Sequence, residues 1–377
     1  MRTPESSLSR RIRQRPGMYI GDVGGYGLHR LPLLLLGMGA TAASEGRGDE
    51  VGLRLEEGGA CIFSFNGPLW PTHLLSEHPP GDLSPLFSPE VSERVSGEGA
   101  PRTPLVGSIY EDLAIVQALS SRFEVLLGVG DKAWRQSFIA GEAAGPLLEV
   151  PNSMGGRAAF EGTRLRFVPD RTLFERTRWS VQGLSWRMEE LAALHPRVTF
   201  RLHDDVRRRE ERHRFEGGMA DFAARLSEPS TPLHAPWSFE GQAGTAHVRL
   251  VLQWCRAPSS RMLSWVNQSR TGGGTHVRGL VNGLGEALAH HAGVAQRTPD
   301  FSVVVPSAIT EGLTALLDMT VTQPLWVGPI KGTLANPECE DEVARCVHHW
   351  LRERFERESA VATQVLEQVV ARSVARG

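Results

Sequence analysis

The stretch that decides the reading of this chain is RQRPGMYIGD, Arg13 to Asp22, followed after a short gap by GLH at Gly27 to His29. The first part is basic and punctuated by Pro16, Gly17 and Gly21, so Arg10 to Gly27 reads as a Gly-rich loop region. After it, LHRLPLLLLGMGATAA (Leu28 to Ala43) has helical length and an apolar face, although Pro32, Gly37 and Gly39 weaken it. No Asp, Glu or Asn occurs between Leu28 and Ser44.

Outward from this helix, the spacing predicts strands at Val51 to Leu55 and Ala60 to Phe65, with Glu57-Gly58-Gly59 as the turn. Pro68 to Pro104 is rich in Pro, Ser, Gly and Glu and reads as a long irregular loop. A helix follows over Tyr110 to Ser120. Strands are expected at Phe123 to Leu127, Trp134 to Phe138, Gly162 to Val168 and Val198 to Leu202, and a helix over Phe174 to Leu194. The pattern restarts near Phe215-Glu216-Gly217-Gly218. Beyond it lie strands at Val248 to Trp254, Met262 to Asn267, Ser302 to Val304 and Leu313 to Val321. A Gly-rich turn, TGGGTH, leads a helix over Val277 to His291, and one long helix is expected over Pro337 to Val374. Strands occur with helices throughout, which is read as the α+β class in two domains.

Composition sets outer bounds. The 377 residues are 41% apolar and 22% charged, as in a soluble globular protein long enough for about two domains. Forty-one basic and 43 acidic residues give a net charge of −2, so nothing in the total indicates a nucleic-acid-binding surface. The run DDVRRREERHR interleaves acids with Arg207, Arg208, Arg209 and Arg212 and reads as a solvated hairpin tip. Cys61, Cys255, Cys339 and Cys346 lack zinc-ligand spacing and read as reduced, mostly core thiols. His276 and the His348-His349 pair have no ligand partners at helical spacing. The N-terminus has no apolar signal core and the longest apolar run, Leu31 to Leu36, is too short to cross a bilayer. A cytoplasmic protein without a membrane partner is the expectation.

The opening string resembles the N-terminal signature of the DNA gyrase B family and its topoisomerase IV counterpart, in which R-x-R-P-G-M-Y-I-G precedes G-L-H at the first helix. Further matches fall in the same order. They are ALS at Ala118 to Ser120, Trp134-Arg135-Gln136, Gly162-Thr163 before Phe167, FEGG at Phe215 to Gly218, TPLH at Thr231 to His234, LQW at Leu252 to Trp254, GGTH at Gly273 to His276, and EGL at Glu311 to Leu313. The resemblance implies a GHKL-type ATPase α/β sandwich over 1–214. It implies a transducer domain similar to domain 2 of ribosomal protein S5 over 215–377, with a long C-terminal helix. The family's Toprim region would follow this point, and no Toprim domain is expected within the chain.

The resemblance also implies ATP chemistry, and the matching positions conflict with it. Such a site needs a carboxylate on the first helix to take a proton from water, and one turn on an oxygen ligand for Mg²⁺. Counting from GLH, the general-base position is Leu34 and the magnesium position is Met38. Leu accepts no proton, and a thioether is a soft, poor ligand for Mg²⁺. The adenine motif D-D-G-R-G-I-P falls on Phe65 to Pro71, which replaces its base-reading Asp by Phe65. Asn66 and Gly67 remain as candidates there. The phosphate-binding lid falls on VGSIYED, Val106 to Asp112, where only Gly107 survives and Glu111 and Asp112 would repel phosphate. Thr163, Arg135 and the transducer's Lys331 complete the residual candidates for nucleotide contact, and Lys331 is the one residual catalytic candidate.

Two readings follow. In the first, the chain is a gyrase B-like pseudo-ATPase without cofactor or metal. It would be a binding or regulatory module whose partner is a gyrase or topoisomerase subunit or a second copy of itself. In the second, it is a divergent ATP-binding subunit of a type IIA topoisomerase, with a rebuilt ATP/Mg²⁺ site, working with partner chains. A third option is an apolar ligand in a pocket lined by Leu34, Met38 and Phe65.

Overall fold

A computed structural model describes residues 8–69, 83, 109–130, 132–152, 160–228, 230–294, 306–328 and 332–374. The chain divides into two compact units, Met1–Glu216 and Gly217–Gly377.

The first unit is organised around the helix that the apolar run foretold. Two short helices, α1 (Leu8–Gln14) and α2 (Gly17–Ile20), lead into it. They correct the expectation of loop between Arg10 and Gly27. Ile12 and Ile20 are buried, so tertiary packing overrides the Gly-Pro punctuation of the string. Helix α3 (Gly25–Ser44) follows, and Asp22 serves its start by accepting the Gly24 and Gly27 amides at 2.9 and 2.8 Å. Apolar residues lie nearly all round α3, as in a helix packed on several sides.

Next come β1 (Glu50–Leu55) and β2 (Cys61–Phe65), the expected hairpin, and α4 (Ile109–Ala118). Strands β3 (Ser120–Val129), β4 (Lys132–Ile139), β5 (Glu142–Ala143), β6 (Leu148–Pro151) and β7 (Gly162–Pro169) complete the middle of the sheet. Helix α5 (Val181–Leu194), then β8 (Thr199–Asp204) and β9 (Arg209–His213), end the unit. The sheet order is β5-β4-β3-β7-β2-β1-β8-β9, with β6 also on β4. Among the described strands of this sheet only β1 and β8 pair in parallel, and the acidic and basic run does form the β8–β9 hairpin. Helix α5 starts later than the expected Phe174. Ser180 caps it by accepting the Gly183 amide at 3.2 Å, and the segment before it is tied elsewhere through Trp179 Nε1–H to the Gly59 carbonyl at 3.0 Å.

The second unit begins with α6 (Met219–Ser227) and β10 (Trp237–Ala243), a strand absent from the sequence expectation. Strands β11 (Ala246–Trp254), β12 (Arg261–Val266) and β13 (Ser269–Thr271) follow, then the two-residue β14 (Gly273–Gly274) and α7 (Thr275–Val294). Helix α8 (Pro306–Ile309), β15 (Leu313–Thr320) and β16 (Thr333–Leu334) precede the C-terminal helices. The main sheet runs β10-β11-β15-β12-β13. The expected strand at Ser302 to Val304 lies outside the described residues. The expected single C-terminal helix is two, α9 (Glu338–Arg357) and α10 (Ser359–Val374), broken at Glu358 (φ −122°, ψ 49°). The Glu358 carboxylate accepts Trp237 Nε1–H at 3.1 Å. The break keeps Val343, Val347 and Phe355 of α9 and Val365 and Val369 of α10 in one core.

Helices α7 and α9 pack backbone to backbone along Gly279 and Gly283. A Cβ at Gly283 would stand 2.5 Å from the Ala344 carbonyl oxygen, and one at Gly279 2.4 Å from that of Glu340. Among the described residues, no helix is long and apolar enough to cross a membrane.

Candidate functional site

The sheet register shows what shares a face with α3. Trp134, Leu127, Thr163, Phe65 and Val51 lie opposite one another across β4, β3, β7, β2 and β1, so their side chains stand on the same side of the sheet. On α3, Leu34 and Met38 are one turn apart and share a face of the helix. They are 8% and 3% exposed, and both belong to the apolar core that includes Phe65 and Leu69. The surroundings of Leu34 and Met38 are packed with hydrocarbon.

The segment after β2 is held tightly. The Phe65 ring lies against Gly48, where a Cβ would come within 2.7 Å of it. A Cβ at Gly67 would stand 1.7 Å from the Arg47 carbonyl oxygen, so glycine is required for the chain to pass. Asn66 is exposed, and its Oδ1 accepts the amides of Asp49 and Glu50, both at 2.9 Å. Its Nδ2 donates to Asp49 Oδ1 at 2.6 Å. A side-chain carbonyl has two lone pairs, so the acceptor that adenine would use is already engaged. Thr163 is buried. Its hydroxyl donates to the Gly67 carbonyl at 3.2 Å and accepts the Leu69 amide at 3.3 Å.

The other candidates are not gathered here. Arg135 pairs with Leu126, which pairs with Arg164, one register step from Thr163. Strand alternation therefore puts Arg135 on the opposite face of the sheet from Thr163. Gly107, Lys331 and the side chain of Glu111 lie outside the described residues, and Asp112 is half-buried in α4. Among the described residues, no group of three or more His, Cys, Asp or Glu is placed to hold a metal ion.

Sequence reasoning missed three residues that shape the region. Arg47 donates through Nη1 to the Pro68 carbonyl at 3.2 Å and also to that of Leu69. Leu69 itself is fully buried. Gln136, noticed only as part of a matching string, is buried on the α3 side and accepts the Leu83 amide at 2.6 Å. The one signal in the sequence was an arginine within a glycine-rich turn, EGRGD, before β1.

In the second unit Leu252 to Trp254 of LQW and Thr275 and His276 of GGTH are buried. His276 is fully buried, with Nε2 3.1 Å from Thr271 Oγ1, and burial pushes its pKa down to about 4. His234 stacks on Trp237 at 3.8 Å between ring centroids, and burial lowers its pKa to about 4 as well. All four cysteines are free thiols; Cys61, Cys255 and Cys339 are buried.

The crystal structure of the B subunit of DNA gyrase from Myxococcus xanthus superposes on this chain with a TM-score of 0.77 and 30% identity, covering 96% of this chain and 99% of that one. The chain belongs to the DNA gyrase B family. The DNA gyrase B family model matches residues 218–377. The 43K ATPase domain of Thermus thermophilus gyrase B, solved in complex with an aminocoumarin, is 26% identical with a TM-score of 0.72, over 98% of this chain and 95% of that one. The chloroplastic/mitochondrial gyrase B of Oryza sativa subsp. japonica is 28% identical over 368 residues, 95% of this chain and 50% of that protein. The chain thus spans about half the length of such curated relatives. Its α+β fold is that of the gyrase B ATPase-domain structures, of GHKL type.

Proposed function

We propose that this member of the gyrase B family uses the ATPase–transducer scaffold without hydrolysing ATP, as a non-catalytic binding or regulatory module. The domains are taken as ATPase-like over 1–214 and transducer over 215–377. One observation carries the reading. On α3, the positions counted as general base and magnesium ligand are Leu34 and Met38, buried in the apolar core. These residues do not fit ATP–Mg²⁺. Removing a general base and a metal ligand together costs orders of magnitude in rate, since each such group is commonly worth ~10²-fold or more. With Phe65 in place of the adenine-reading carboxylate, the counted losses fall on the general base, the magnesium ligand and the base-reading group, while Thr163 and Lys331 remain.

A scaffold of this kind would act through its surfaces. Its partner is then a gyrase or topoisomerase subunit or a second copy of the chain, in the cytoplasm, with no cofactor. The test is calorimetric titration of the purified chain with a non-hydrolysable ATP analogue, with and without Mg²⁺, alongside an ATPase assay. No saturable binding at millimolar nucleotide, and no turnover, are expected. Mg²⁺-dependent turnover that falls on Lys331→Ala would instead support a divergent, active topoisomerase subunit.

A further inference from the structure

We propose that Gly67–Leu69 is a built-in plug, in which the chain's own Leu69 occupies the space between α3 and the sheet that an adenine ring would need. The inference rests on the reading above, that this region is the relic of a nucleotide site, and adds what now fills it.

Three anchors hold the segment down. Arg47 reaches over from the turn before β1 and donates to the carbonyls of Pro68 and Leu69. Thr163, on β7, spends its one hydroxyl proton on the Gly67 carbonyl and receives the Leu69 amide. Asn66 ties the start of the segment to Asp49 and Glu50. Held at both its amide and its carbonyl, Leu69 is 0% exposed and shares the core of Leu34, Met38 and Phe65. A fully buried leucine excludes any ligand from the volume it fills, because interiors are close-packed. Thr163 therefore has no free hydroxyl proton to offer, and the Asn66 amide is likewise engaged by Asp49 and Glu50. Occupation by self explains how Thr163 persists beside lost chemical residues: it fastens the plug.

The test uses the full chain and two measurements. In hydrogen exchange, Arg47→Ala should speed exchange at the Leu69 amide by tenfold or more while the β1–β2 amides keep their protection. Arg54→Ala, which removes an exposed cation on β1, should leave it unchanged. In calorimetry with ADP, wild type and Phe65→Asp should show no saturable binding, because the restored acceptor still meets Leu69. Phe65→Asp/Leu69→Gly should bind. An unchanged Leu69 amide in Arg47→Ala would overturn the plug, as would ADP binding by Phe65→Asp equal to that of the double variant. So would no binding by a double variant that keeps its wild-type circular dichroism. ADP binding by the wild-type chain would overturn the plug too, whereas Mg²⁺-dependent ATP turnover by that chain is the separate result that would sink the pseudo-ATPase reading.

Discussion

Leu34→Glu restores the side chain that the counted general-base position would require, and the structure says what it should cost. Leu34 is 8% exposed, within a core that includes Met38, Phe65 and Leu69. Exchanging it for glutamate forfeits about 2 kcal/mol of leucine burial. A carboxylate in that environment has its pKa raised, by about 3 units for a well-buried site. At about 1.4 kcal/mol per unit, keeping it ionised adds about 4 kcal/mol. The variant should therefore lose about 6 kcal/mol at pH 8, a large part of the 5–15 kcal/mol typical of a domain. Because the folded-state pKa lies above the unfolded value, the folded variant takes up the proton first. Its deficit shrinks as pH falls through the raised pKa and approaches about 2 kcal/mol near pH 4.5. Urea unfolding followed by circular dichroism at pH 5 and pH 8, each against wild type, measures this. Leu34→Gln serves as a control whose deficit should not vary with pH. Position 34 would face water, and the argument from burial would fail, if Leu34→Glu were as stable as wild type at pH 8. The same result with a gain of ATP turnover would put the enzymatic reading first.

Gly283→Ala should destabilise the second unit by about 1–2 kcal/mol in urea unfolding, since overpacking costs about 1–3 and alanine's helix propensity returns up to about 1. Gly293→Ala on the same helix, where a Cβ meets nothing within 4 Å, should be neutral or stabilising. His276, held neutral by burial with a pKa of about 4, should make stability fall as pH drops from about 6.5 towards 4, by about 1 kcal/mol per unit. A series of melting curves should show that slope reduced in His276→Asn. Burial opposes the charge on Asp170, but hydrogen bonds from Arg13 and Thr172 outweigh it and hold its pKa below the usual carboxylate range. Asp170→Ala leaves Arg13, whose Nη2 lies 2.5 Å from the carboxylate, with its bond to the Ala118 carbonyl, and should cost about 2 kcal/mol by thermal or urea unfolding.

What could be read from the sequence was what depends on neighbours along the chain. Helix α3 was legible from the length of its apolar run, and the β1–β2 hairpin because Gly58 and Gly59 mark the turn between two apolar runs. The failures share one cause, a partner remote in sequence. Periodicity carried the α5 helix back to Phe174 because it cannot see Trp179 bound to Gly59, 120 residues away. It ran α9 and α10 together because neither Gly nor Pro marks Glu358, whose carboxylate is held by Arg354 and by Trp237, 121 residues off. Strand β10 hid because its outward residues Ser238, Glu240 and Gln242 and its Gly241 dilute the apolar signal. The site divides in the same way. Leu34, Met38 and Phe65 could be counted from an anchor, since residue type is written in the sequence. The side of the sheet on which Arg135 stands needs the register of three strands. The closure by Leu69 needs Arg47 and Thr163, 22 and 94 residues away. A sequence can show which residue types stand at counted positions, whereas what packs around them follows only from which distant backbone groups the fold brings together.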